Sequence, residues 1–159
     1  MFTGWAGYTL GKTEHIFTDL NNGNAFPADN DRTHEVNLVA SVTKGLWDFS
    51  GTWVYATGKA YTAPESQYAL TLLDGSQLSF IHVSDKNVNR LPDYHRLDLS
   101  VSRRFNFDDW RLDVGGSVFN AYNRKNVNFR EYILDTTPVV ITDELMLGLT
   151  TTFYIRMHY

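Results

Sequence analysis

Residues 94–105 read YHRLDLSVSRRF, and side chains in this stretch alternate between apolar and polar at period two. Leu97, Leu99 and Val101 share one side of the extended chain. The other side carries Arg96, Asp98, Ser100, Ser102 and Arg104. Such alternation is typical of a β-strand with one apolar and one wet face. In a water-soluble protein the apolar face would be a core, whereas a transmembrane barrel turns it toward lipid.

Five further stretches alternate in the same way. They lie near residues 2–12, 33–43, 46–59, 110–118 and 149–159. The last of them, LTTTFYIRMHY, sets Phe153, Ile155, Met157 and Tyr159 on one side and polar residues on the other. Six long strands with this patterning predict an all-β protein, folded as an antiparallel up-and-down meander.

Short and long links alternate between these strands. Only a few residues around KGL separate the second and third strands, and NFDD separates the fourth and fifth. The other three links each exceed the roughly 12–15 residues that are already unusual in compact soluble domains. Tight turns at one end and long loops at the other are typical of transmembrane β-barrels, so we predict that the strands are part of one. Inside the longest link, Asp74 and Gly75 predict a small hairpin.

Aromatic residues make up 14% of the chain and gather near both predicted ends of the strands. One group comprises Trp5, Trp47, Phe49, Phe105, Phe107, Trp110 and Tyr159, and the other comprises Tyr55, Tyr61, Tyr94 and Tyr122. Trp and Tyr favour the two interfaces of a bilayer because their rings are partly apolar and partly polar. The two groups therefore predict aromatic girdles.

Composition and motifs argue against several functions. A formal net charge of −4 without a cluster of Lys or Arg argues against a nucleic-acid partner. The chain has no cysteine, its five histidines are scattered singly, and no serine lies in a nucleophile-elbow motif. Residues 6–13, AGYTLGKT, fit a relaxed phosphate-loop pattern, but no helix is indicated after them. We therefore expect no enzymatic activity, no catalytic residue, no metal and no cofactor.

Charged residues concentrate on the polar sides of the fourth and fifth strands. They are Arg96, Asp98, Arg104, Arg111 and Asp113. On a soluble sandwich they would be a solvated face, where each salt bridge contributes little. In a barrel they would face the lumen and form an ionic network, against a plug or along a permeation path. Spacing alone leaves both hypotheses open, and the alternation of short and long links favours the lumen.

Two other classes of protein are weighed against the barrel. A soluble β-sandwich or small-barrel ligand-binding module would use the same alternation to enclose a core. An outer-membrane hydrolase on a small barrel would need catalytic groups on its outer rim. His82, Ser84 and Asp85 are the cluster that the links offer for that role.

Several segments resemble the C-terminal end of TonB-dependent outer-membrane receptors. The segments are LPDYHRLDLSVSRRF, WRLDVGGSVFNAYNRKNV and a final strand that ends in an aromatic residue. In that family a proline and a tyrosine precede an Arg-Leu-Asp strand, and the next strand closes on an Asn-aromatic-Asn segment. The matching residues here are Asn120, Tyr122, Asn123, Arg124 and Asn126. Residues 27–62 also resemble the preceding hairpin, so the similarity covers nearly the whole chain.

The resemblance implies a barrel of about 22 strands around an N-terminal plug. Such receptors lie in the outer membrane of Gram-negative bacteria and import a scarce ligand, such as a siderophore or other iron chelate, cobalamin or a glycan. Residues 1–159 would be the C-terminal part of the barrel, without the plug, the earlier strands and the N-terminal part that engages the TonB complex. Expected partners include outer-membrane lipid and the barrel-assembly machinery. That machinery would read Phe153, Ile155, Met157 and Tyr159 as a C-terminal signal.

Overall fold

The computed structural model describes residues 1–133 and 140–159, in which nearly all regular structure is β-strand. In chain order the strands are β1 (Phe2–Leu10), β2 (Glu14–His15), β3 (Phe26–Pro27), β4 (His34–Lys44), β5 (Trp47–Ala56), β6 (Ala60–Tyr61), β7 (Pro64–Thr71), β8 (Gln77–Val83), β9 (Asn89–Arg90), β10 (Tyr94–Asn106), β11 (Arg111–Phe119), β12 (Val127–Ile133), β13 (Val140–Leu145) and β14 (Thr150–His158). A 3-10 turn spans Asn21–Gly23. None of the described residues belongs to a helix with the length and hydropathy needed to cross a membrane. The predicted all-β class is confirmed.

Six long strands form one sheet in the order β1-β4-β5-β10-β11-β14, and every neighbouring pair is antiparallel. Each long strand therefore lies beside the previous long strand of the chain. This order confirms the predicted up-and-down meander of six strands. The sheet is open in these residues, since β1 and β14 each pair on one side only.

The strand register separates apolar from polar residues across the whole sheet. Leu38, Trp53 and Leu97 lie in one row on adjacent strands, and we call their side of the sheet the apolar face. The opposite side, the polar face, carries a row of serines: Ser41, Ser50, Ser100 and Ser117. Within that row the hydroxyls of Ser50 and Ser100 are 2.7 Å apart and hydrogen-bonded. The separation follows from period-two geometry, because paired residues point to the same side.

The apolar face is open. Phe153 is 83% exposed, Ile155 75%, and Leu99 46%. In the described part of the chain no second sheet packs over the six strands. The buried apolar residues are instead Phe26, Ala56, Ala60 and Leu91, which lie at the ends of the strands where the long links run.

Two of the predicted girdle residues lie on the other face. Trp5 pairs with Val39 and Tyr94 pairs with Ala56, and both pairs belong to the polar face. Tyr94 begins β10, at the height expected of a girdle, whereas Trp5 lies opposite the middle of β4, and the parity of both strands directs these residues away from the apolar side. Trp47, paired with Arg103, does lie on the apolar face.

The links are short at one end of the sheet and long at the other. Gly45 and Leu46 join β4 to β5, and residues 107–110 join β10 to β11; we call this the short-turn end. The long links lie at the opposite, long-link end, and their described residues are 11–33, 57–93, 120–133 and 140–149. The predicted hairpin at Asp74-Gly75 is confirmed as β7 paired with β8. Three further ribbons were not predicted: β2 with β3, β6 with β9, and β12 with β13.

Candidate functional site

On the polar face, the carboxylate of Asp113 lies close to three basic side chains near the short-turn end. Oδ1 of Asp113 lies 3.3 Å from Nε of Arg104. Oδ2 of Asp113 lies 3.7 Å from Nε of Arg111 and 3.4 Å from Nε2 of His158. The register explains the cluster, because Asp113 is paired with Arg104, and Arg111 is paired with His158.

A second charged pair lies further along the same face. Nε of Arg96 is 3.0 Å from Oδ2 of Asp98, and the Arg96 guanidinium stacks 4.1 Å from the ring centroid of Phe119. Oδ1 of Asp98 accepts a hydrogen bond from the backbone N–H of Asn120. The five residues predicted to form one ionic network thus share a face but divide into two groups.

The sequence pattern did not single out His158 as part of this cluster. A usable signal was its parity, which it shares with Arg156 on the polar side of the last strand. On β10, β11 and β14 the polar face carries Arg96, Arg104, Arg111 and Arg156 against Asp98 and Asp113. Four arginines and two aspartates give this region a formal charge of +2, opposite in sign to the −4 of the chain.

The segment that follows β11 is held by a completely buried side chain, that of Asn120. Its Nδ2 donates to the carbonyl oxygens of Arg124 and Leu147, and its Oδ1 accepts from the N–H of Arg124. Asn120 has φ of +52°, a left-handed conformation that asparagine adopts more readily than most residues. This one side chain therefore ties the exit of β11 to the chain that leads into β14.

Two further asparagines of the same segment extend this connection. Asn126 is buried; its Nδ2 donates to the carbonyl of His95, and its Oδ1 accepts from the His95 N–H. Oδ1 of Asn123 accepts from the N–H of Leu149. An amide side chain can replace a strand partner in this way because it presents a donor and an acceptor together. The three asparagines thus fasten β10, β11 and β14 at the long-link end.

The first and second long links are joined by an ion pair between Asp31 and Arg90. Arg90 also donates to the Asp31 and Gly58 carbonyls, and the N–H of Thr13 donates to Oδ1 of Asp31 at 2.7 Å. The Asp31 side chain is only 1% exposed. Burial by itself would raise the pKa of Asp31, but the hydrogen bonds from Thr13 and Arg90 outweigh it and the pKa is lowered.

A buried asparagine, Asn87, also connects the first and second long links. Nδ2 of Asn87 donates to the Pro27 carbonyl and to Oδ1 of Asp29. Nearby, the side chain of Asn21 makes two hydrogen bonds to the backbone of Lys86. These partners are separated by 58 to 65 residues, so they hold the two links together rather than stabilising each one locally.

The third long link is connected to the second through Arg130. Nε and Nη2 of Arg130 donate to the two carboxylate oxygens of Asp143 at 2.6 and 2.9 Å, across the ribbon of β12 and β13. Nη1 of Arg130 donates to the Tyr61 hydroxyl in the second link. The hydrogen bond from Arg130 lowers the pKa of Asp143. All three long links are therefore connected by side-chain bonds, and we call this arrangement the link layer.

The predicted C-terminal signal lies on the apolar face of the outermost strand. Phe153, Ile155 and Met157 pair with Gly116, Val114 and Leu112 of β11, and Tyr159 follows β14. All four side chains are exposed.

The residues considered for a hydrolase do not form a catalytic arrangement. Ser84 is buried, and its hydroxyl accepts from the N–H of Ala63 and from Nδ2 of Asn89. His82 lies 3.7 Å from Glu65 across the β7–β8 ribbon. A nucleophile must be in hydrogen-bond reach of its base, and the structure gives no such bond between His82 and Ser84.

The described residues bring together no group of three or more His, Asp or Glu side chains that could hold a metal ion. The chain matches no family model, no curated protein and no solved structure. The resemblance to TonB-dependent receptors therefore rests on the sequence motifs.

Proposed function

We propose that this chain forms the C-terminal part of the barrel wall of a TonB-dependent import receptor in the bacterial outer membrane. Its apolar face would contact lipid and its polar face would line the lumen. The observation that carries the proposal is the sheet itself, in which all apolar rows lie on one uncovered side. In water such a surface would be a liability, because exposed apolar patches of this extent lead to association.

The height of the apolar face supports a bilayer location. On β4 this face is bounded by His34 at the long-link end and by Lys44 at the short-turn end. Ten residues of strand rise about 34 Å, and a tilt of about 40° reduces this to about 26 Å along the membrane normal. The apolar band of an outer-membrane barrel is about 25 Å tall.

The open edges of the sheet require further strands. The outer edges of β1 and β14 pair with no strand in the described residues. Each unsatisfied backbone group costs several kcal/mol in hydrocarbon, so spanning sheets close into barrels. We therefore propose that strands outside this sheet pair with both edges. β1 and β14 run in opposite directions, which is the parity that an antiparallel closure needs.

Import of a nutrient is proposed from the resemblance together with two features of the sheet. The link layer would give the outer opening a preformed surface, because side-chain bonds between links keep them from moving separately. The positive region of the polar face, at +2, favours an anionic ligand or an acidic plug surface beside β10, β11 and β14. A barrel wall of this kind does not itself catalyse a reaction, and no cofactor is proposed.

A direct test of the barrel wall uses the natural absence of cysteine. Leu99→Cys and Ser100→Cys place one thiol each on the apolar and polar faces, at adjacent positions of β10. Each thiol is labelled with a small fluorophore, and the protein is inserted in bilayers whose acyl chains carry bromine. We expect strong quenching of the label at position 99 and weak quenching at position 100. A water-soluble quencher should give the reverse order.

The same pair of labels separates the barrel from the soluble alternatives. In a soluble sandwich or small barrel, position 99 would be shielded from both quenchers, since the apolar face would be a core. Equal lipid quenching at both positions would contradict a wall with one lipid-facing side. Import is tested in cells that lack the gene, with and without TonB, by measuring uptake of a labelled iron chelate, cobalamin and a glycan. Uptake that depends on this gene but persists unchanged without TonB would contradict the proposed receptor.

A further inference from the structure

Two basic residues stand on the apolar face at its short-turn end. Lys44 and Arg103 lie in one row of the sheet on either side of Trp47, because each of them pairs with that tryptophan. The six long strands, which the structure describes completely, place no Asp or Glu on this face. Two cations without a counter-charge on an otherwise uncharged surface need an explanation.

The contacts of these cations differ from those of the arginines on the polar face. Arg96, Arg104 and Arg111 each lie 3.0 to 3.7 Å from an aspartate oxygen. Lys44 and Arg103 form no ion pair with any residue in 1–133 or 140–159.

Aromatic rings hold the guanidinium of Arg103 in place. Its Cζ atom lies 5.1 Å from a ring centroid of Trp47 and 4.7 Å from the centroid of Phe105. Phe105 is the next residue of the apolar face toward the short-turn end. Stacking on two rings orients a planar cation while leaving its N–H donors free for an anionic partner.

We propose that Lys44, Trp47 and Arg103 bind the headgroup phosphate of an anionic phospholipid in the leaflet at the short-turn end. This inference rests on the proposed barrel wall. Basic side chains on a lipid-facing surface are stable where they reach the headgroups, and Trp sits at the same level. Strands are about 5 Å apart, so the two cations start about 10 Å apart, within reach of one headgroup through their long side chains.

The experiment compares two lipids with identical acyl chains, phosphatidylglycerol and phosphatidylcholine. The intact protein in neutral detergent is titrated with each lipid at low ionic strength, and bound lipid is counted by native mass spectrometry. We expect tighter binding of phosphatidylglycerol by about tenfold or more. Lys44→Gln and Arg103→Gln should each reduce that preference about fivefold, the equivalent of about 1 kcal/mol per basic residue. Arg103→Lys, which keeps the charge, should retain most of it.

The matched control is Arg156→Gln. Ile155 lies in the same row of the sheet as Arg103, because both residues pair with Val114. Arg156 is the next residue, is exposed and lies on the polar face, so its loss removes the same charge at nearly the same height. The proposal is overturned if Arg156→Gln lowers the preference as much as Arg103→Gln, or if the unmodified protein has no preference. Lipid quenching of the label at position 99 with no headgroup preference would refute this site and leave the barrel wall standing. Absence of that quenching would overturn both.

Discussion

Replacing Asn120 should destabilise the protein more than replacing any exposed asparagine. Asn120→Ala removes a completely buried amide and leaves the Arg124 N–H and the Leu147 carbonyl without the partners they now have. The Arg124 carbonyl keeps a second donor, the N–H of Asn126. The loss of these hydrogen bonds should cost about 1–3 kcal/mol together. Placing alanine at a φ of +52° adds about 1 kcal/mol.

Two other variants separate the lost hydrogen bonds from backbone strain. Asn120→Gly removes the same bonds but accepts a positive φ freely, so it should still cost about 1–3 kcal/mol. Asn22→Ala is the matched control, because Asn22 has φ of +54°, is exposed, and its side chain makes no hydrogen bond within the described residues. It should cost about 1 kcal/mol or less.

The measurement is urea unfolding of the protein in lipid vesicles, followed by tryptophan fluorescence. If the free energy of unfolding of Asn120→Gly lies within about 0.5 kcal/mol of that of the unmodified protein, the side-chain bonds contribute little and the reasoning fails. If Asn22→Ala and Asn120→Ala cost the same amount, backbone conformation alone accounts for the effect.

Three more outcomes are expected from the same description. The pKa of Asp31 is lower in the folded state than in the unfolded state. Its contribution to stability is therefore complete above the unfolded pKa of about 3.9 and is lost as the pH falls through the folded pKa. Asp31→Asn should consequently flatten the acid dependence of protease resistance in the long links. Gly58→Ala would place a Cβ 1.6 Å from the Leu91 carbonyl oxygen and should destabilise the link layer by about 3 kcal/mol or more, whereas Gly11→Ala, with 3.9 Å to its nearest atom, should be nearly neutral in the urea assay. Asp113→Asn would leave three basic side chains without a carboxylate; the site is partly exposed, so a loss of about 1–2 kcal/mol is expected, and raised salt should diminish it.

The six long strands and their faces were predictable because period-two alternation is written locally in the chain. Leu97, Leu99 and Val101 belong to one face whatever their neighbours are, and antiparallel pairing then transmits that parity to the next strand. The position of a strand along the membrane or core is not local in this sense. Trp5 shows this limit, because it was predicted near an end of its strand but pairs with Val39, the middle residue of β4. Tyr94 does lie at a strand end, and for both residues local parity already indicates the polar face that the girdle prediction overlooked.

The link layer could not be predicted, for a physical reason. Asn87 and Arg90 bind residues that are 58 to 60 positions away, and nothing near them in the chain encodes the partner. The ribbon of β12 and β13 was missed because a register shift between Val127 and Phe129 breaks the alternation at its start. The cluster around Asp113 was predictable in part. Parity placed Arg104 and Arg111 on the same face as Asp113, but it did not indicate that β14 would pair with β11 and bring His158 opposite Arg111.

The bonds among the long links limit how the outer surface can diversify. Asp31 in the first link needs Arg90 in the second, and Tyr61 in the second accepts from Arg130 in the third. If one link were replaced alone by a link from another protein, a buried charge or amide in the neighbouring link would be left without its partner. Productive exchange therefore demands that adjoining segments be swapped as a set, and substitutions at these contact points should covary in evolution instead of drifting independently.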